Sequence, residues 1–172
     1  MQPGDVLVGY AASGLHTNGY TLARRIVFDD LGLAVDTRVP ELGVTVAEAL
    51  LAVHRSYWTA LSPVLDRVHA LAHITGGGIP GNLSRSLPAG CTAEVRWGAW
   101  PVPPVFTWLR DAGAVDPAEM DRVFNMGVGM IALAAAADVP ALQAAAVAAG
   151  VETWEIGAVV PGDGDVRVLR GA

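Results

Sequence analysis

Three consecutive glycines, Gly76, Gly77 and Gly78, interrupt the stretch HITGGGIPGN at residues 73–82. Glycine loses more backbone freedom on folding than any other residue, so such a run weakens a helix or strand and needs a geometric reason. A tight turn with positive φ is one reason; close approach of a ligand to bare backbone N–H groups is the other. On the N-terminal side, VHALAHIT sets Val68, Ala70, Ala72 and Ile74 against His69, Leu71 and His73, the alternation of a strand with both faces at least partly covered. On the C-terminal side, IPGNLSRSL opens at Pro80 and spaces Leu83 and Leu87 four apart, as in a short helix. The segment reads as strand, glycine turn, helix, and both a phosphate cradle and a plain chain reversal fit it.

The same punctuation runs through the chain. DVLVGY at residues 5–10 is a strand ending in the small-residue turn AASG. HTNGYTLARRIVFDDLG carries Leu22 and Ile26 on one helical face and stops at Gly32. A second helical region lies within residues 46–65, divided by Pro63, and TAEVRW is a strand. PPVFTWLRDAG begins with proline and ends with Gly113, the asymmetry of a helix. Asp116-Pro117-Ala118-Glu119 starts another helix, MIALAA is a strand, and Asp138 caps VPALQAAAVAA up to Gly150. TWEIGAVV, the turn PGDGD and VRVLR predict a closing β-hairpin. The expected fold is α/β (α+β), a mixed β-sheet flanked by helices, in a single domain over residues 1–172.

Composition narrows the function classes. At 52% hydrophobic and 16% charged, 172 residues bury one substantial core. The apolar stretch at residues 130–137 falls far short of the roughly 20 residues that span a bilayer, and no signal peptide opens the chain, so the expected location is cytoplasmic. Cys91 is the only cysteine, which excludes an internal disulfide and a cysteine metal cage and fits a small buried residue on a strand. All 11 basic residues are arginine and the net charge is −6, so catalysis by lysine is excluded and no basic stripe invites nucleic acid. No acidic cluster suits Mg²⁺ and there is no Walker-type loop, so no metal ligands are expected.

Three clusters carry chemistry. In SGLHTNG, Ser13, Gly14, His16 and Asn18 sit at a strand-to-helix junction where free N–H groups favour anions; Thr17 or Asn18 capping the helix beside an exposed His16 is the plainer alternative. In HITGGG, His73 is placed to meet a phosphate or move a proton, and Thr75 with Gly76, Gly77 and Gly78 to bind one; a hydrogen-bonded structural histidine is the alternative. In FNMGVGM, Asn125 offers donors and an acceptor beside two glycines that let a ligand or another backbone approach; a glycine-rich entry into a strand is the alternative.

In this order, GDVLVGYAASGLHTNGYTLARRI, AHITGGGIPGNLSRSLP, WPVPPVFTWLRDAGAV and EMDRVFNMGVGMIAL resemble the C-terminal half of AIR synthetase, phosphoribosylformylglycinamidine cyclo-ligase. The resemblance spans nearly the whole chain. It lapses at AVHRSYW, where the family has a Thr-Pro-Thr-Arg-Ile-Tyr type of segment: Arg55 and Tyr57 stay in register, whereas Val53, His54 and Ser56 differ. The resemblance implies a ribonucleotide substrate, ring closure driven by ATP, and Arg55 as a substrate contact. It also implies an N-terminal half, not part of this sequence, that binds most of the ATP and Mg²⁺ and forms a homodimer. The expectations that follow are that this chain alone holds no cofactor, does not turn over, and bares an apolar face where that half packs. A binding or regulatory domain that kept the fold, or another ATP-dependent enzyme of the same architecture, is the competing expectation.

Overall fold

The computed structural model describes residues 1–171. β1 (Val6–Ala11) lies inside a six-stranded sheet because its side chains are apolar on both faces: Leu7 joins one buried cluster, Val8 and Tyr10 the opposite one. β4 (Val68–His73), β5 (Cys91–Arg96), β6 (Val128–Ala134), β7 (Thr153–Pro161) and β8 (Val166–Leu169) complete it in the order β4-β6-β1-β7-β5-β8. All neighbours are antiparallel except β5 and β8, which are parallel. β2 (Arg38–Val39) and β3 (Val44–Thr45) form a separate ribbon. The mixed sheet flanked by helices is the expected architecture.

Each sheet face buries its own layer. Leu7, Ile131, Leu133 and Ile156 pack with Ile79 and Leu83 of α4 (Gly78–Leu83). On the other face, Ala132 and Ala134 let α7 (Val139–Ala148) come close with Leu142 and Ala146, beside α3 (Trp58–Leu61). Each large side chain buried this way contributes about 1.5–3 kcal/mol. A third cluster is built from α1 (Tyr20–Arg24) with its π-helical continuation Arg25–Asp30, α2 (Val46–Leu50), α5 (Pro104–Ala112) and α6 (Pro117–Val123). At its centre the rings of Phe106 and Phe124 stand 5.7 Å apart.

The structure corrects four local expectations. β7 and β8 are not a hairpin: the PGDGD turn carries the chain past β5, which lies between them. The amide of Gly162 donates to Gly90 O and that of Gly164 to Cys91 O, so the crossover is pinned to the start of β5. β4 is an edge strand whose covering differs between its faces: Ala72 is buried, whereas His69, Leu71 and His73 are exposed. α1 begins after Gly19 in left-handed conformation with no side-chain cap, and His16 is buried rather than exposed. Asp138 makes no cap bond; its carboxylate accepts from Arg67 instead. Among the described residues, no helix is long and apolar enough to cross a membrane.

Candidate functional site

The loop after β1 is folded back by its own polar groups. The Ser13 N–H donates to His16 Nε2 at 3.1 Å, and the Ser13 hydroxyl donates to Val53 O at 2.6 Å, tying the loop to the irregular segment before α3. That segment brings His54 onto His16, ring on ring at 3.9 Å, and His73 at the end of β4 lies 5.4 Å from His54. His16 is buried; His54 and His73 border a cleft of about 350 Å³ with Leu71 and Met130. Gly129 makes room for the group, since a Cβ there would stand 2.1 Å from the Tyr57 hydroxyl and 2.5 Å from His16 Cε1.

Burial pushes the His16 pKa down to about 4, with His54, His73 and Arg55 lowering it further. Burial and then His54 also lower that of His73. Both rings are therefore neutral at pH 7 and can accept or donate without carrying charge. Burial raises the Tyr10 hydroxyl to about 12 and raises Tyr57 as well; Tyr57 donates to Ala11 O, and Tyr10 OH has no partner among the described residues.

The glycine turn opens on a different cleft, of about 690 Å³, lined by Gly76, Gly77, Gly19, Thr21, Arg25 and Arg122 among others. Gly77 (φ +100°) and Gly78 (φ +62°) occupy left-handed backbone, and a Cβ on Gly78 would lie 1.7 Å from Asp121 O. Their amides are spent inside the fold: Gly77 N–H donates to Arg122 O and Gly78 N–H to Thr75 O. The expected cradle of three free amides thus reduces to Gly76, whose N–H has no partner among the described residues.

The family model for the AIR synthase related protein, C-terminal domain, matches residues 2–170. The chain belongs to that family. It is 46% identical over 158 residues to a phosphoribosylformylglycinamidine cyclo-ligase of Trichlorobacter lovleyi, covering 91% of this chain and 45% of that protein. To a protein of the same name from Sorangium cellulosum it is 47% identical, covering 98% of this chain and 50% of that one. The chain spans about half the length of the curated relatives it matches. Among solved structures, it resembles thiamine-monophosphate kinase from Stenotrophomonas maltophilia (TM-score 0.66, 20% identity, 97% of this chain and 50% of that one). It also resembles the E. coli hydrogenase maturation protein HypE (TM-score 0.59, 20% identity, 98% and 47%). At that identity the likeness shows the fold alone.

Within this AIR synthase C-terminal domain, the residues singled out from sequence divide into three groups. His16 and His73 come together, joined by His54. Gly76 and Gly77 meet the start of α1 across the second cleft. The others hold the loops. Asn125 is fully buried; its Nδ2 donates to Gly14 O and Leu15 O, and its Oδ1 accepts from Gly127 N–H, so no donor is left for a ligand. Thr75 Oγ1 donates to Asn82 Oδ1, Arg55 Nη1 donates to Gly150 O, and Asn18 Nδ2 donates to Val123 O. Asn18 Oδ1 is buried without a partner among the described residues. Sequence reasoning missed Asn82, whose Nδ2 gathers the carbonyls of Thr75, Gly76 and Gly78 and so shapes the turn. It also missed His54, whose only sequence signal was its departure from the family segment.

Proposed function

We propose that this chain is the substrate-side domain of an ATP-dependent cyclo-ligase that converts formylglycinamidine ribonucleotide to aminoimidazole ribonucleotide in the cytoplasm. The observation that carries this reading is the likeness to proteins named phosphoribosylformylglycinamidine cyclo-ligase across nine-tenths or more of the chain. ATP and Mg²⁺ would be held mainly by a preceding N-terminal half, within a homodimer. In that reaction the γ-phosphoryl group passes to the substrate amide oxygen, a nitrogen lone pair closes the ring on the activated carbon, and the C–O bond breaks to release phosphate. Positioning and charge stabilisation carry most of such a rate.

The parts fit that task. The free Gly76 amide, with Arg25 and Arg122 lining the same cleft, suits the ribose phosphate. Arg122 pairs with Glu119, and Arg25 approaches Asp30 at 3.6 Å, so both guanidinium groups keep donors to spare. His73, neutral and with no hydrogen bond to its ring among the described residues, suits the proton released on ring closure. Calorimetric titration with the ribonucleotide tests the phosphate contact. Binding should weaken about tenfold or more when the phosphate is removed from the ligand or when Gly76→Ala displaces it. Equal affinity for ribonucleotide and riboside would refute the assignment of this cleft.

A further inference from the structure

We propose that His16, His54 and His73 form a three-histidine site for a divalent transition metal of the zinc type. The three side chains arrive from separate parts of the fold, the loop after β1, the irregular segment before α3 and the end of β4. One ring nitrogen from each lies within 4.8 Å of the other two. Among the described residues this is the only such gathering of metal-ligating groups. His16 is 4% exposed, and its Nδ1 is buried with no hydrogen-bond partner among the described residues. The rings of His54 and His73 likewise make no hydrogen bond among the described residues. The three rings converge on one another, and the buried His16 Nδ1 among them is left without the partner that a buried polar atom ordinarily has.

Ligand nitrogens on a tetrahedral zinc ion stand roughly 3.3 Å apart for bonds of about 2.0–2.1 Å, so the cluster must contract by up to about 1.5 Å. His54 and His73 are the parts free to move: His54 is half-buried on irregular backbone and His73 is exposed. A metal lies in the plane of each ring that binds it, so His54 must swing off its stack on His16. The Ser13 N–H must release His16 Nε2 so that the imidazole can ligate in its neutral form; one neutral hydrogen bond is exchanged for a coordinate bond. Three imidazoles with no carboxylate select zinc, cobalt, nickel or copper over magnesium and leave a fourth position open. The site takes His54 from the segment where the resemblance lapses. It is distinct from the magnesium that accompanies ATP, and when filled it would withdraw His73 from proton transfer.

Cobalt(II) is the probe, added to untagged protein in the absence of nucleotide. The expected result is one equivalent bound with the intense visible absorption of four-coordinate cobalt, displaced by one equivalent of zinc. His54→Thr and His73→Ala should each lower the affinity by more than the roughly 10–100-fold that loss of a second-shell partner costs. Unchanged circular dichroism in both variants would show that they still fold. His69→Ala, outside the cluster, should leave the titration as it is. A weak octahedral cobalt spectrum, no binding at equimolar metal, or binding that survives His54→Thr would each overturn the proposal.

Discussion

Replacing Gly78 and Gly76 separately by alanine distinguishes a turn from a ligand contact inside one three-residue run. At Gly78 the new Cβ would stand 1.7 Å from Asp121 O and 2.9 Å from Asp121 C, and both atoms are backbone, so no rotamer change relieves the overlap. The residue must also hold φ +62°, a left-handed conformation that costs an L-residue roughly 1–2 kcal/mol. Overpacking costs a further 1–3 kcal/mol or so as α4 and α6 move apart. The total, about 3 kcal/mol, corresponds to a fall in Tm of roughly 6–12 °C for a chain of this size. At Gly76 no atom lies within 4 Å of the Cβ and φ is not left-handed, so Gly76→Ala should leave stability unchanged or raise it slightly, by about 0.4–1 kcal/mol through the unfolded state. Thermal melts followed by circular dichroism measure both. Equal losses in the two variants, or a Gly78→Ala melt within about 2 °C of the parent, would refute the reasoning.

Asn125→Ala removes three buried hydrogen bonds and should cost roughly 3 kcal/mol, read as a lower denaturant midpoint with unchanged m value. His16, held near pKa 4 in the fold against 6.5 in the unfolded chain, binds fewer protons folded than unfolded between those values; stability should fall as pH drops from about 6.5 towards 4, with a shallower slope in His16→Gln melts. His69 Nδ1 lies 2.6 Å from Oδ2 of the buried Asp5, so His69→Ala leaves that carboxylate one partner short and should lower stability by about 1–2 kcal/mol in a urea titration. Leu51, Val53 and Trp58 are 73%, 86% and 69% exposed, so the chain should bind a hydrophobic dye, and Trp58→Ser should reduce that fluorescence without lowering Tm.

The central strands were legible because their signal is local. β1 and β6 alternate side chains between two covered faces, and proline-led helices such as α5 and α6 announce their own starts. Pairing is not local: PGDGD reports that the chain reverses, but nothing in TWEIGAVV or VRVLR says that β5 will occupy the place between them. The site divides the same way. HITGGG is readable as a turn, whereas the question of which amides remain free depends on Arg122 and Thr75, and Arg122 arrives on α6 from far along the chain. Asn125 looked like a ligand group because its amide is versatile; in the fold that versatility is used to hold the loop that carries His16. His54 had no motif around it, and only the stacking of its ring on His16 of the β1 loop shows where it lies.

The most direct test of the cyclo-ligase assignment is ring closure by this chain joined to the N-terminal half of its Sorangium cellulosum relative. The expected outcome is ATP-dependent formation of aminoimidazole ribonucleotide, with one ADP and one phosphate released per ring, and no turnover by the chain alone. A chimera that folds and binds ATP yet forms no imidazole, or steady turnover by the isolated chain, would contradict the account.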